Sequence, residues 1–220
     1  MIEVKDGPGG LVIDPRHVIR TEAELRELVG TPRPAQEQKC LDALDVHGVR
    51  WIAASPFVVV SSIDADGRMD ISPKGDPAGF VQVIDRTTIA IPDRPGNKRV
   101  DTFSNVLQNP RVAVIFLVPG RGETLRVMGT AQLVTEPGLL ATMSVGGKEP
   151  RLAMVVAIEE VMFHCGKSVI RSHLWSPDEW PTIDHLASYA EMLADQTSPD
   201  ETLAEMETRF ATWHEGNELY

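Results

Sequence analysis

Phe57-Val58-Val59-Val60-Ser61-Ser62-Ile63-Asp64-Ala65-Asp66-Gly67-Arg68-Met69-Asp70-Ile71 decides the fold class of this chain. An apolar, β-branched run enters an Asp-Gly turn and leaves into a second short run, which is the signature of a hairpin. Residues 57–63 and 69–71 are therefore expected as antiparallel neighbours. The strand pattern continues to residue 134. Strands are expected over 81–84 and 87–91 about Asp85-Arg86, and over 112–118 and 124–134 about Pro119-Gly120-Arg121-Gly122. A helix over 98–107, stopped by Asn109-Pro110, separates these pairs. Another over 138–143 precedes a last long strand over 152–163. Six or seven strands joined mainly by tight turns specify an antiparallel barrel or sandwich with added helices, an α+β chain that is mainly β.

Outward from this centre the spacing turns helical. The first 20 residues, punctuated by Gly7-Pro8-Gly9-Gly10, read as an extended arm, and Thr21 with Glu24 fits a capping box. A second helix from Pro34 would carry Glu37, Cys40, Leu41 and Leu44, with its apolar members on one face. Beyond the strands, a short helix over 166–174 is broken by Trp175-Ser176-Pro177. Helices over 183–193 and 202–213 follow, the last introduced by Ser198 and Pro199 as N-cap and N1. The expected organisation is an arm and helices packing on the barrel over 1–54, the barrel over 55–175, and helices of the same domain over 176–220.

Composition excludes several functions. Asp and Glu number 32 against 21 Lys and Arg, a formal charge of −11, which argues against general affinity for nucleic acid or an anionic membrane. No apolar run approaches the roughly 20 residues of a membrane span, and the polar start has no secretory core, so a cytoplasmic location is expected. Cys40 and Cys165 have no CxxC partner, so neither a disulfide framework nor a zinc site is encoded.

The cations that matter are local. Ile91-Pro92-Asp93-Arg94-Pro95-Gly96-Asn97-Lys98-Arg99 ends a strand and delivers Arg94, Lys98 and Arg99 to the start of the expected helix, with Asn97 as a further amide donor. Basic residues there oppose the helix dipole unless a bound anion reverses the balance. A phosphorylated small molecule is the ligand class this implies. Arg94 reads either as a phosphate contact or as a turn-surface charge, whereas Lys74, in the rigid string Ser72-Pro73-Lys74-Gly75-Asp76, reads as a binding residue. Arg126, between Leu125 and Val127, reads equally as an outward strand residue or a site residue. His164 with Cys165 does not make a ligand set. Lys167, Arg171 and Trp175 follow one another at four-residue spacing on one helix face. They form either a second cationic patch capped by an indole or a salt-bridged surface with Trp175 in the core.

Four segments, in order, carry a family resemblance: 66–76, 92–99, Asn109-Pro110-Arg111-Val112, and Glu123-Thr124-Leu125-Arg126-Val127-Met128-Gly129. A fifth runs from Phe163-His164-Cys165-Gly166-Lys167-Ser168 to Trp175. Together they resemble the pyridoxamine 5′-phosphate oxidase-like, FMN-binding split-barrel superfamily, in its bacterial branch with a PDRPGN-type loop. The resemblance implies a split barrel that holds FMN at a homodimer interface. Ile71, Ser72, Pro73 and Lys74 would lie along the flavin, and Asp93 and Arg94 would belong to the phosphate loop. Asn97, Lys98 and Arg99 would grip the phosphate. Thr124 would stand where the oxidases reach the flavin from the second subunit, and the patch of Lys167, Arg171 and Trp175, if it forms, would close over the cofactor or its substrate. Met69, Thr124 and Met128 stand where the oxidases carry an arginine, a glutamine and a polar residue, which puts their substrate in question here. The expected activity is an FMN-dependent oxidase or NAD(P)H-linked reductase of a small molecule. The alternatives are the same fold with F420 or haem, or a flavin-binding sensor without catalysis.

Overall fold

In a computed structural model, residues 13–197, 200–214 and 219–220 are described. The glycine-rich arm at 7–10 and the Ser198 and Pro199 cap lie outside them. Contacts divide the chain into two units, Met1–Lys39 and Cys40–Tyr220. In the first, α1 (Glu22–Val29) opens with the expected capping box, since Thr21 and Glu24 each bond the other's backbone N–H. Helix α2 is only Pro34–Gln38. The longer helix expected from Pro34 does not form. Leu41 instead makes an antiparallel bridge to Val161, and Leu44, fully buried, exchanges bonds with Arg86.

The second unit is built on one antiparallel sheet of seven strands. They are β1 (Phe57–Ile63), β2 (Met69–Gly75), β3 (Gln82–Asp85), β4 (Thr88–Pro92), β5 (Arg111–Leu117), β6 (Thr124–Val134) and β7 (Ala153–His164). Their order is β2-β1-β5-β6-β7-β4-β3, the split barrel expected from the sequence. The β1–β2 turn forms as its Asp-Gly pair predicts. Gly67 takes φ +83°, and the Asp64 carboxylate accepts from the Asp66 and Arg68 backbone N–H groups and from Arg68 Nε. Strand β2 runs four residues beyond the expected end and pairs Pro73 with Val59.

Alternation sets the core. Val58 and Val60 of β1, Val112, Val114 and Phe116 of β5, and Leu125 and Val127 of β6 all point inward and are buried with Ile89, Ile91 and Met154. Each such side chain contributes about 1.5–3 kcal/mol by leaving water. The opposite face of the same strands carries Val59, Ala113, Ile115, Arg126 and Met128, all half-buried. Register shifts once along the β6–β7 ladder, at Gly129, where an added Cβ would lie 1.9 Å from the Ala157 carbonyl oxygen. Only glycine tolerates that approach.

Helix α3 (Val46–Ala54), not expected from the sequence, is capped by Asp45 and inserts Ile52 into the core. Helix α4 (Asp101–Gln108) packs on β1 and β2 through Phe103, Val106 and an Asn105–Ser62 bond of 3.0 Å. It starts three residues later than expected. Helix α5 (Pro137–Thr142) and α6 (Lys167–Arg171) stand near their expected places. Helix α7 (Tyr189–Gln196) begins not at 183 but after Ser188, which forms a capping box with Glu191. With α8 (Leu203–His214) it buries Ala190, Met206 and Phe210 in a small cluster of their own.

Candidate functional site

Strand β2, the β4–α4 loop, the first turn of α4, residues 148–151 and Tyr220 enclose a cavity of about 830 Å³. Ile71, Ser72, Pro73, Lys74, Asp93, Arg94, Asn97, Lys98 and Arg99 all stand on its wall. Two strand pairings bring them together. Strand β2 presents Asp70 and Lys74 to α4, where Thr102 Oγ1 donates to Asp70 Oδ2 at 2.6 Å and the Lys74 ammonium lies 5.1 Å from the Phe103 ring centre. Pro92 pairs with Ala153 of β7, and the Asp93 N–H donates to Leu152 O at 2.9 Å, which fixes the root of the loop.

Among the described residues, six cationic side chains and four acidic ones line the cavity, a local excess of positive charge in a chain of charge −11. Lys74 is half-buried, and desolvation pushes its pKa down against the opposing pull of Asp93 and Asp70. Asp93 moves the other way, raised by desolvation and held back chiefly by Lys74. An anion with access to Lys74 would replace the solvation that this lysine has lost.

The loop tip is strained. Lys98 has φ +61° and Val100 φ +52°, and a β-branched residue in the left-handed region is a backbone outlier. Val100 occupies the N-cap position of α4, where no side chain caps the helix. Lys98 and Arg99 therefore precede the helix, contrary to the expectation that they form its first turn. The helix-dipole conflict read from the sequence does not arise, because the first-turn charge is Asp101. Arg99 donates to Asp101 at 2.7 Å through Nε, and its backbone N–H donates to Asn97 Oδ1 at 3.0 Å. Arg94 lines the cavity and is also tied into the fold. Its side chain is only 15 % exposed and is paired with Asp76, itself 1 % exposed, while Nη2 donates to Met143 O at 2.8 Å.

The second patch is elsewhere. Thr124 pairs with His164, at the opposite end of β7 from Ala153. Twelve strand residues at about 3.3 Å each put these ends roughly 35 Å apart along the strand. Lys167 and Arg171 lie on α6, whose start meets the β5–β6 turn so closely that a Cβ on Gly166 would sit 2.9 Å from the Gly122 carbonyl carbon. The helix ends at Arg171, so Trp175 does not extend its face as expected. The indole Nε1–H instead donates to Arg121 O at 2.8 Å. Arg126, on the outer sheet face, has Nη1 3.2 Å from His164 Nε2. Within one chain, Thr124, Lys167, Arg171 and Trp175 do not line the cavity that Lys74 and Lys98 line.

Sequence reading missed Lys148, Arg151 and Tyr220, which complete the wall. One signal for Lys148 was present. Gly146 and Gly147, at φ +57° and +77°, make a two-residue turn that bridges Val145 to Lys148 and fixes where the lysine stands. Tyr220 had none.

Several solved structures resemble part of this chain. HupZ of Group A Streptococcus is 18% identical, with 54% of this chain and 91% of that one covered and a TM-score of 0.44. An FMN-binding protein from Syntrophomonas wolfei is 13% identical, covering 64% and 95%, with a TM-score of 0.43. General stress protein 26 of Bacillus anthracis is 12% identical, covering 52% and 89%, with a TM-score of 0.41. No curated protein matches the sequence with significance. The family model described as pyridoxamine 5′-phosphate oxidase matches residues 47–165, from α3 through the whole of β7. Since that match takes in the entire seven-stranded sheet and more than half of the chain, the protein belongs to the pyridoxamine 5′-phosphate oxidase family.

Proposed function

We propose that this protein binds flavin mononucleotide in the cavity and acts in the oxidation or reduction of a small molecule. The observation that carries the reading is the strained, cationic loop at an uncapped helix start, opening into a cavity of about 830 Å³. Unsatisfied N–H groups at a helix N-terminus with adjacent cations favour a phosphate. The donor set fits FMN. Lys98, Asn97 and the first N–H groups of α4 would hold the terminal phosphate, with Arg99 available by exchange from Asp101. Lys74 and the β2 backbone would face the polar edge of the flavin, and Ile71 and Pro73 would offer apolar surface to its ring. Bound FMN would supply two-electron or hydride chemistry. The chain's part is to anchor, orient and desolvate.

The outer sheet face supports a homodimer. Val59, Ile115, Ala113 and Met128 form an apolar band across β1, β5 and β6, continued by Met69 and Ile71 of β2, which are 70% and 67% exposed. A second copy seated on this band would bring its own Thr124, Lys167, Arg171 and Trp175 toward the cavity they cannot reach within one chain. The test is the visible spectrum of the purified protein with mass spectrometry of what heat releases. A flavin spectrum and released FMN are expected. A colourless protein that fails to take up added FMN overturns the reading, and a Soret band replaces it with haem.

A further inference from the structure

Asp76 follows β2 directly, and its carboxylate is almost wholly withdrawn from water. A buried carboxylate needs donors at both oxygens. Oδ2 takes Arg94 Nε at 2.5 Å. The donor to Oδ1 is the phenol of Tyr220. The Tyr220 ring also lies under the Arg94 guanidinium, 5.7 Å from its centre, and its main-chain oxygen accepts from Lys148 Nζ at 2.6 Å. One residue thus touches three segments around the cavity: the end of β2, the root of the β4–α4 loop, and the Gly146-Gly147 turn.

The β4–α4 loop needs such support. Lys98 and Val100 hold left-handed backbone that is costly for residues with a Cβ and persists only where the surroundings over-determine it. Arg94 anchors the loop four residues before Lys98, and Arg94 is itself held by Asp76, by Met143 O and by the Tyr220 ring. The phenol pKa is raised, chiefly by its bond to Asp76, so it remains a donor across the neutral range.

We propose that Tyr220 is a positioning residue for the anion loop, so that docking of its phenol on the Asp76–Arg94 pair and binding of an anion at Asn97 and Lys98 favour each other. The coupling is reciprocal, as linkage requires. It rests on the reading that the loop holds a phosphate, and the test separates the two.

Tyr220→Phe keeps the ring and removes only the phenol oxygen. FMN and riboflavin are titrated by flavin fluorescence against wild type and variant, and amide exchange of residues 92–100 is followed in both without ligand. The expected result is a loss of FMN affinity of about 5–10-fold, the lower end of the range for coupling between two sites, with riboflavin changed by less than about twofold. Exchange in 92–100 should quicken while β5 and β6 keep their rates. Unchanged or tighter FMN binding, or equal losses for FMN and riboflavin, overturns the proposal. If wild type binds no FMN, the functional reading fails, and unchanged exchange in 92–100 then overturns the brace as well. Asp76→Asn, which weakens the same pair from its other side, should reproduce the phosphate-selective loss. Failure to do so with a folded protein counts against the coupling.

Discussion

Arg94 Nε stands 2.5 Å from Asp76 Oδ2, with both side chains withdrawn from solvent, so the central arginine of the PDRPGN loop secures the fold around the cavity that it lines. Removing one member of a buried pair strands the other's charge, which costs about 3–5 kcal/mol. Arg94→Ala should therefore lower the urea midpoint strongly, whereas Lys98→Ala, on an exposed tip, should leave it almost unmoved.

Ligand binding should separate Lys98 from Arg99. Lys98→Ala is expected to weaken FMN binding by about 1.5–3 kcal/mol, the range for hydrogen bonds to charged groups, and to leave riboflavin unaffected. Arg99→Ala should cost less, because Asp101 already engages that guanidinium. Fluorescence titration of both flavins against both variants measures the difference.

Lys74→Met should change the pH profile of stability in a defined direction. The Asp93 pKa is raised by desolvation in the folded protein, so its contribution is present below the ordinary carboxylate pKa and is lost as pH rises through the folded value. Lys74 opposes that shift. Without its charge, Asp93 moves further up, and the loss of stability with rising pH extends to higher pH. Urea unfolding at a series of pH values between about 3.5 and 7, with a carboxyl NMR titration of Asp93, checks both statements.

Ile115 lies at the centre of the apolar outer band, opposite Val59 on one side and Arg126 on the other. If the proposed homodimer forms through this band, Ile115→Arg should give a monomer in light scattering and weaken FMN binding with it, while circular dichroism stays that of the wild type. A monomer that keeps full FMN affinity would contradict a cofactor site shared between copies.

Gly129→Ala should be among the most damaging single methyl additions in the sheet. The added carbon would meet the Ala157 carbonyl at 1.9 Å, a clash that only backbone displacement relieves, at about 3 kcal/mol or more. Gly67→Ala, where nothing lies within 4 Å, carries only the left-handed backbone cost of about 1–2 kcal/mol. Paired denaturation curves test the contrast.

The sheet was legible because its strands alternate strictly and its turns declare themselves, as at Asp66-Gly67. Helix boundaries were less so. Lys98 and Val100 enter the left-handed region without a glycine to announce it, and the helix start was consequently placed too early. Helix α3 carries Gly48 and two β-branched valines, which hide a helix that Ile52 burial stabilises. Its Asp45 cap, like the Ser188–Glu191 box of α7, is the helix-start sign that the sequence does carry. The wall from β2 and the 92–99 loop was legible because it is contiguous in sequence. Lys148, Arg151 and Tyr220 reach it only through tertiary contacts, and the single-face reading of Lys167, Arg171 and Trp175 failed because α6 stops before the indole.

Pro73 has one more consequence. It sits in mid-strand on β2, where the strand order ends, and it has no N–H to offer an approaching chain. A strand with Met69 and Ile71 so exposed would otherwise be a template for edge-to-edge aggregation. The same residue lines the cavity, so the strand edge that it interrupts is also a wall of the pocket.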